Sequence, residues 1–431
     1  MTSLRKIVVL GANGAMGSGA AAVFAAAGFA TTMLARTKDK AEAGRTRARQ
    51  LAKQDQLAID IGTYDELERV VADADLIFEA VAETLPIKRE MFARVERART
   101  PEAIVATVSS GLSIAAIAAG FGESFRRHFL GIHLFNPPTV IRGCELIPHA
   151  ETAPEVVAAV RAFLDALDRV VVDCADTPAF AGNRIGFKLL NEIAQLAEEH
   201  GVAYMDQLVG PHTGRALAPL ATIDLVGWDV HKAIVDNLYA NTHDEAHASF
   251  ALPAYMQRLI DAGHLGRKTR DKGGFFRVDG KGPDARHFVL DPATGAYHPL
   301  AEVKPPVPAL VERMKTAIRD GRYRDALEAL VVADCKDGAL LRKIILGYIS
   351  YGLNRVGEVV AHARDVDRIM GFGFNWAPPS LLVDAIGAAR TITLLEREGL
   401  LVPPVIARAA ERGQLLSDEP AQDSARYFVA A

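Results

Sequence analysis

Between residues 6 and 174 short apolar runs alternate with longer amphipathic or alanine-rich stretches. The runs are KIVVL (6–10), ATTML (30–34), LAIDI (57–61), ADLIFEAV (74–81), AIVATV (103–108), FLGIHL (129–134), ELIPH (145–149) and RVVVDC (169–174). Short runs of this kind, bounded by polar turns, read as strands, and the stretches between most of them read as helices. Such alternation predicts a largely parallel sheet with helices on both faces. From about residue 178 the period changes to that of long amphipathic helices, beginning NRIGFKLLNEIAQLAEEHGV.

An internal echo follows. The stretch from NEIAQLAEEHGVAYMDQL to LAPLATIDLVG (191–227) has a counterpart in GEVVAHARDVDRIMGFGFNWAPPSLLVDAIG (357–387). Each holds a helix, a short acid-containing turn, a proline-bearing loop and an Asp-Leu-Val-Gly or Asp-Ala-Ile-Gly ending, which predicts two copies of one helical unit. Between them, 277–308 is rich in Gly, Pro and Asp and reads as a linker with a small hairpin around PATG. The expected organisation is a strand–helix domain over 1–177, a helical domain over 178–276, a linker over 277–325 and a second helical domain over 326–431. The C-terminal SDEPAQDSARYFVAA is expected to be peripheral.

Directly after the first strand, Gly11, Gly14 and Gly17 give G-x-x-G-x-x-G at the start of an alanine-rich helix. Glycine is needed there because the backbone must turn tightly and let a pyrophosphate approach the helix N-terminus. Between a strand and a helix, ahead of a doubly wound pattern, the triplet points to a dinucleotide. The fold class is therefore α/β: a Rossmann-like, doubly wound, mostly parallel sheet followed by two all-α domains. At the end of the second strand a carboxylate is expected to hold the ribose hydroxyls of NAD. This chain has Arg36, followed by Thr37 and Lys38. Such a group suits a ribose 2′-phosphate or stacking on adenine, or it belongs to a solvated basic helix with Arg45, Arg47, Arg49 and Lys53. NAD is the expected cofactor, with NADP left open by Arg36.

Composition narrows the function classes. The chain has 431 residues, 50% hydrophobic and 24% charged, with a formal net charge of -4. No single sign of charge dominates, so general nucleic-acid or membrane binding is not expected. No apolar run reaches the roughly 20 residues of a membrane span, and MTSLRKIVVLG enters a strand without an apolar signal region. Cys144, Cys174 and Cys335 follow no metal-binding spacing, so no metal is expected. They read as buried thiols of a reducing compartment, and the expected location is cytoplasmic.

The remaining chemistry centres on GIHLFNPPTVIRGCELIP (131–148), an apolar stretch carrying His133 and Glu145. Either group buried alone would be costly. Together they make an acid/base pair, in which a carboxylate on one imidazole nitrogen fixes the tautomer. Taken singly, His133 is an ordinary core histidine, Glu145 a partner for Arg142, Ser110 a loop serine and Asn183 a helix cap. Their joint placement at strand ends of a nucleotide-binding sheet favours a site beyond the carboxyl edge.

The segments DLIFEAVAETLPIKREMF (75–92), SSGLSI (109–114), GIHLFNPP (131–138), CELIP (144–148), GNRI (182–185) and LGRKTRDKGGFF (265–276) together resemble the L-3-hydroxyacyl-CoA dehydrogenases. With its doubled helical unit, the chain is similar to the dehydrogenase portion of multifunctional fatty-acid oxidation enzymes, without the hydratase domain. The resemblance implies His133 as general base, Glu145 as its orienting carboxylate, and Ser110 and Asn183 as substrate-binding groups. It places cofactor contacts on Glu83, Lys88 and Asn136, to which the glycine loop adds Gly11, Gly14, Met16 and Gly17 and the end of the second strand adds Arg36 as a candidate. The implied reaction is NAD(P)-dependent oxidation of an (L)-3-hydroxyacyl-CoA to the 3-ketoacyl-CoA, with acyl-CoA as partner and a monomer or homodimer as the assembly.

Two departures from the family bear on substrate. KDKAEAGRTRARQLAKQDQ supplies about one helix where the family inserts a long helical hairpin that helps hold CoA, and Arg45, Arg47 and Arg49 are candidates to replace that grip. ATVSS stands where the family commonly has an Asn-Thr-Ser run. The rival readings are a dehydrogenase of a free 3-hydroxy acid or sugar acid, and a non-catalytic NAD(P)-binding protein.

Overall fold

The computed structural model describes residues 4–417 and 424–430. Eight strands form the main sheet: β1 (Lys6–Leu10), β2 (Ala30–Ala35), β3 (Asp60–Thr63), β4 (Leu76–Glu79), β5 (Ile104–Thr107), β6 (Phe129–Leu134), β7 (Gly143–Pro148) and β8 (Val170–Asp173). Their order is β3-β2-β1-β4-β5-β6-β7-β8. Every neighbouring pair is parallel except β6 and β7, so the last two strands run against the rest. The order reverses between β1 and β4, which creates the crevice where such sheets take their ligands. The central strands are buried on both faces and read as continuous apolar runs.

β3 begins later than the expected 57–61. Leu57 and Ile59 are buried, yet the ladder starts only at Asp60, opposite Thr32. Burial and pairing do not coincide there, and an apolar pattern reports only burial. Between β2 and β3 there is one helix, Lys38–Ala52.

The chain divides into two compact units. One comprises residues 1–181 with Glu358–Ala361 and Phe372–Phe374; the other comprises Gly182–Gly357, His362–Gly371 and Asn375–Ala431. The sheet unit thus draws two short segments from the expected second helical domain. Ala175 donates its amide to the Val359 carbonyl at 2.8 Å, and the Phe374 ring lies 5.8 Å from that of Phe135.

The helical unit repeats its own internal bonding. Asp206 accepts amide bonds from Leu220 and Ala221, and Asp367 accepts one from Ser380. Asp224 accepts from the amides of Phe275 and Phe276, and Asp384 from those of Leu416 and Ser417. Arg215 bridges antiparallel to Trp376, and its guanidinium lies over the Trp376 and Tyr348 rings.

Residues 277–325 are not a plain connector. They contain most of a three-stranded antiparallel sheet, β9 (Phe276–Asp279), β10 (Arg286–Leu290) and β11 (Tyr297–Pro299), and the helix Ala309–Arg319. The PATG turn joins β10 to β11. Gly, Pro and Asp mark the corners of this small sheet, where composition alone reads them as breakers. Two further expectations change. Cys335 is exposed and caps the helix Lys336–Asn354, its Sγ accepting from the Gly338 amide. At the C-terminus, residues 418–423 and 431 lie outside the described residues, but Tyr427 and Phe428 are buried, and Phe428 packs on Tyr323. Two adjacent aromatics give that segment enough apolar area to dock.

Candidate active site

The glycine loop is shaped by close approach. Gly11 has φ +91°, and a Cβ there would lie 2.2 Å from the Ala80 carbonyl oxygen at the end of β4. A Cβ on Gly17 would lie 2.3 Å from the Gly11 oxygen, so only glycine lets the helix Ala15–Ala26 start against the loop. Gly14 begins that helix without a side-chain cap, which leaves its N-terminal amides directed at the crevice. Met16 is the second helical residue and is half-buried. This uncapped cradle fits the pyrophosphate of a dinucleotide.

Arg36 follows β2 directly and is exposed, with no hydrogen bond or ion pair among the described residues. Thr37 caps the next helix through Lys40, so Arg36 stands ahead of that helix and not on it. Of the other arginines, Arg45 pairs with Glu42 and Arg49 donates to the Leu57 carbonyl. Tyr64, which the sequence pattern does not single out, sits next to this edge. Burial raises its phenol pKa, an effect the Gly11 backbone and the Arg36 charge partly oppose.

At the carboxyl end of β4 a buried ionic cluster supports Glu83 and Lys88. The Lys88 ammonium donates to both oxygens of Glu79 at 2.8 and 2.9 Å, and lies 3.2 Å from Glu83. Thr107 donates to Glu79 at 2.6 Å, and so does the Val81 amide. Desolvation alone would raise the Glu83 carboxyl. The Lys88 charge and bonds from the Ser109 hydroxyl and Ser110 amide outweigh it and hold the carboxyl below its usual range. Glu79, Thr107 and Ser109 were not singled out in the sequence, though a carboxylate inside the apolar run LIFEAV was a usable signal. Ser110 thus lies on the loop after β5, tied to Glu83 at 2.8 Å.

His133 is the penultimate residue of β6 and Glu145 the third of β7. They stand opposite one another in the ladder, and His133 Nδ1 lies 2.6 Å from Glu145 Oε2. A carboxylate partner makes Nδ1 the donor and leaves Nε2 as the acceptor nitrogen. No hydrogen bond engages Nε2 among the described residues. Glu145 is fully buried, and its other oxygen accepts from the Ala181 amide at 2.9 Å and the Cys174 thiol at 3.4 Å. Ala179 and Phe180 both hold left-handed backbone, φ 57° and 56°, which turns the chain so that Ala181 can donate. Phe135 and Phe180 wall the imidazole at 4.8 and 5.7 Å between centroids. Arg142 pairs with Asp168, so Glu145 is not its partner. Burial keeps the Cys144 thiol protonated.

Asn136 is exposed just past β6. Asn183 is buried in the other unit, as the second residue of the helix Gly182–His200, two residues beyond Ala181. Among the described residues there is no group of His, Cys, Asp and Glu able to hold a metal, and no helix long and apolar enough to cross a membrane.

Comparison with known proteins gives this arrangement a family. Residues 6–177 match the 3-hydroxyacyl-CoA dehydrogenase NAD binding domain, and residues 180–275 match the C-terminal domain of the same family. A probable 3-hydroxyacyl-CoA dehydrogenase of Bacillus subtilis is 30% identical over 442 residues, covering 95% of this chain and 54% of that protein. The chain therefore spans about half the length of that relative. A probable 3-hydroxyacyl-CoA dehydrogenase of Deinococcus radiodurans is 33% identical over 291 residues, covering 64% of this chain and 83% of that protein. In fold, the chain is similar to 3-hydroxybutyryl-CoA dehydrogenase from Escherichia coli, with a TM-score of 0.69 at 21% identity, covering 95% and 99% of the two chains. With its uncapped glycine loop and its His–Glu pair across β6 and β7, the chain belongs to the 3-hydroxyacyl-CoA dehydrogenase family.

Proposed function

We propose that this protein oxidises (L)-3-hydroxyacyl-CoA to 3-ketoacyl-CoA with His133 as general base. The observation that carries the reading is the His133–Glu145 pair: one imidazole nitrogen is anchored on a buried carboxylate, and the other has no partner among the described residues. NAD, held by the loop of residues 11–17 with Arg36, Glu83, Lys88 and Asn136 beside it, supplies the hydride acceptor when bound. His133 Nε2 takes the hydroxyl proton as the carbon–oxygen double bond forms, and Glu145 stabilises the resulting imidazolium. Ser110 and Asn183 are assigned to the reacting oxygen, where neutral donors favour developing negative charge. In the reverse direction the same imidazolium returns the proton.

The single helix between β2 and β3 favours a second reading, in which the substrate is a free 3-hydroxy acid. One experiment separates the two: NADH consumption with acetoacetyl-CoA against free acetoacetate. Turnover of the thioester at least tenfold faster supports the acyl-CoA reading; faster turnover of the free acid replaces it. Three free cysteines suit a reducing compartment such as the cytoplasm.

A further inference from the structure

The match to the family's C-terminal domain ends at residue 275, and β9 begins at Phe276. The small sheet and the end of the family domain together line a cavity of about 640 Å³. That volume lies within the roughly 300–1,000 Å³ of small-molecule pockets. Arg267 and Arg270 line it from the family domain, and Arg277, His287 and Phe288 from β9 and β10.

The charges in this cavity are unevenly matched. Asp224 lies in the lining, but its oxygens already accept from Trp228 Nε1 at 2.7 Å and from the amides of Phe275 and Phe276 at 2.8 Å each. Asp206, also in the lining, accepts the amides of Leu220 and Ala221. Nearby Lys268 is paired with Asp229. Arg277 is paired with Asp279 and lies over Phe288 at 4.8 Å and Tyr297 at 4.7 Å. Arg267 and Arg270 are exposed and have neither a hydrogen bond nor an ion pair among the described residues. Two guanidinium groups without a hydrogen bond or ion pair therefore line the same cavity as Phe276, with the Asp224 carboxyl within electrostatic reach of Arg267 and the Phe288 ring already covered by Arg277 and Arg286.

A planar donor fork matches phosphate oxygens, and an aromatic wall offers a stacking surface to a base. We infer that this cavity binds a nucleotide, with Arg267 and Arg270 on its phosphate and the phenyl ring of Phe276 against its base. A small carboxylate or free phosphate would leave the apolar wall unused. This site is assigned independently of the reading of His133, and its test needs no catalysis.

The test is calorimetric titration of the full chain, saturated with NADH so that the glycine loop is filled. The probes are adenosine 3′,5′-bisphosphate and, in parallel, inorganic phosphate. The nucleotide is expected to bind at least tenfold more tightly than inorganic phosphate. The double variant R267Q/R270Q is expected to weaken nucleotide binding tenfold or more, with thermal unfolding and NADH affinity unchanged. Both side chains are exposed, so the variant is expected to fold. Three results would overturn the assignment: no binding at millimolar nucleotide, equal affinity for the two probes, or undiminished nucleotide affinity in R267Q/R270Q. The last would place the bound nucleotide elsewhere on the chain.

Discussion

His133 and Glu145 are direct partners across the antiparallel pair β6–β7, and their side chains meet at 2.6 Å. Directly opposed residues point to the same face of a sheet. The turn between these strands reverses the chain at the edge where all preceding strands end, so both groups arrive at the carboxyl side of the sheet. His133→Gln should lower kcat by about 100-fold or more, the usual cost of losing a general base, with little change in NADH affinity. Glu145→Gln should also lower kcat and move the acidic limb of its pH profile. Steady-state kinetics with acetoacetyl-CoA decide this, and near-normal turnover in His133→Gln would refute the assignment.

The Glu79–Lys88 pair is fully buried, with two bonds between the partners. Removing one member leaves an uncompensated charge, which typically costs about 3–5 kcal/mol. Lys88→Met should therefore lower the denaturant midpoint of the full chain strongly. The double variant Glu79→Gln/Lys88→Met should recover much of that loss, because the introduced glutamine carries no charge to strand. A double variant no more stable than Lys88→Met would place the loss on Glu83, the other carboxylate beside Lys88, and not on Glu79.

The contrast between these two pairs marks what the sequence makes legible. The eight strands, the glycine loop and the His133–Glu145 pair follow from short-range patterns, because a strand's period and the reversal between β6 and β7 are local. Glu79 gains Thr107 from a strand 28 residues on, and Glu145 gains Cys174 and Ala181 from farther still. No local period encodes such contacts. The docking of Tyr427 and Phe428 was hidden for the same reason, because its partner Tyr323 is supplied by tertiary packing. In the Gly- and Pro-rich stretch the hairpin around PATG was legible as β10 and β11, and the third strand, β9, was not.

His231 provides a test of burial by pH. It is fully buried in the helix Trp228–Asn241, with Nε2 3.0 Å from Asn191 Oδ1 and no partner for Nδ1 among the described residues. The Asn191 amide nitrogen already donates to two carbonyls, so its oxygen faces the ring and Nε2 is the donor. Burial pushes the imidazole down to about 3 from an ordinary value near 6.5. A lowered folded-state value contributes stability above pH 6.5 that is lost as pH falls toward 3. The slope is about 1.4 kcal/mol per pH unit for one proton. Burial raises Asp224 to about 6 and Asp206 to about 7, so these carboxyls contribute the opposite slope, losing stability as pH rises. Comparison with His231→Gln, which keeps a donor for Asn191 but does not titrate, cancels those contributions. Between about pH 6 and 4 the native chain should lose stability more steeply than the variant by about 1.4 kcal/mol per pH unit. Parallel slopes would show that His231 is not held neutral.

Arg36 makes cofactor choice testable. A carboxylate at the end of the second strand would accept bonds from both ribose hydroxyls and repel a 2′-phosphate. Arg36 removes that repulsion and presents an exposed guanidinium ahead of the helix capped by Thr37. Lys38 adds positive charge two residues on. NADPH should therefore be tolerated better than in a chain with the carboxylate, while the glycine loop serves both cofactors alike. A charge-assisted hydrogen bond contributes about 1.5–3 kcal/mol, and tenfold in rate corresponds to about 1.4 kcal/mol. Arg36→Asp should shift the NADH/NADPH ratio of kcat/KM toward NADH by tenfold or more. Both cofactors are measured with the same 3-ketoacyl-CoA, so changes in substrate handling cancel in the ratio. A ratio that does not move would place Arg36 away from the ribose and leave it as a solvated group.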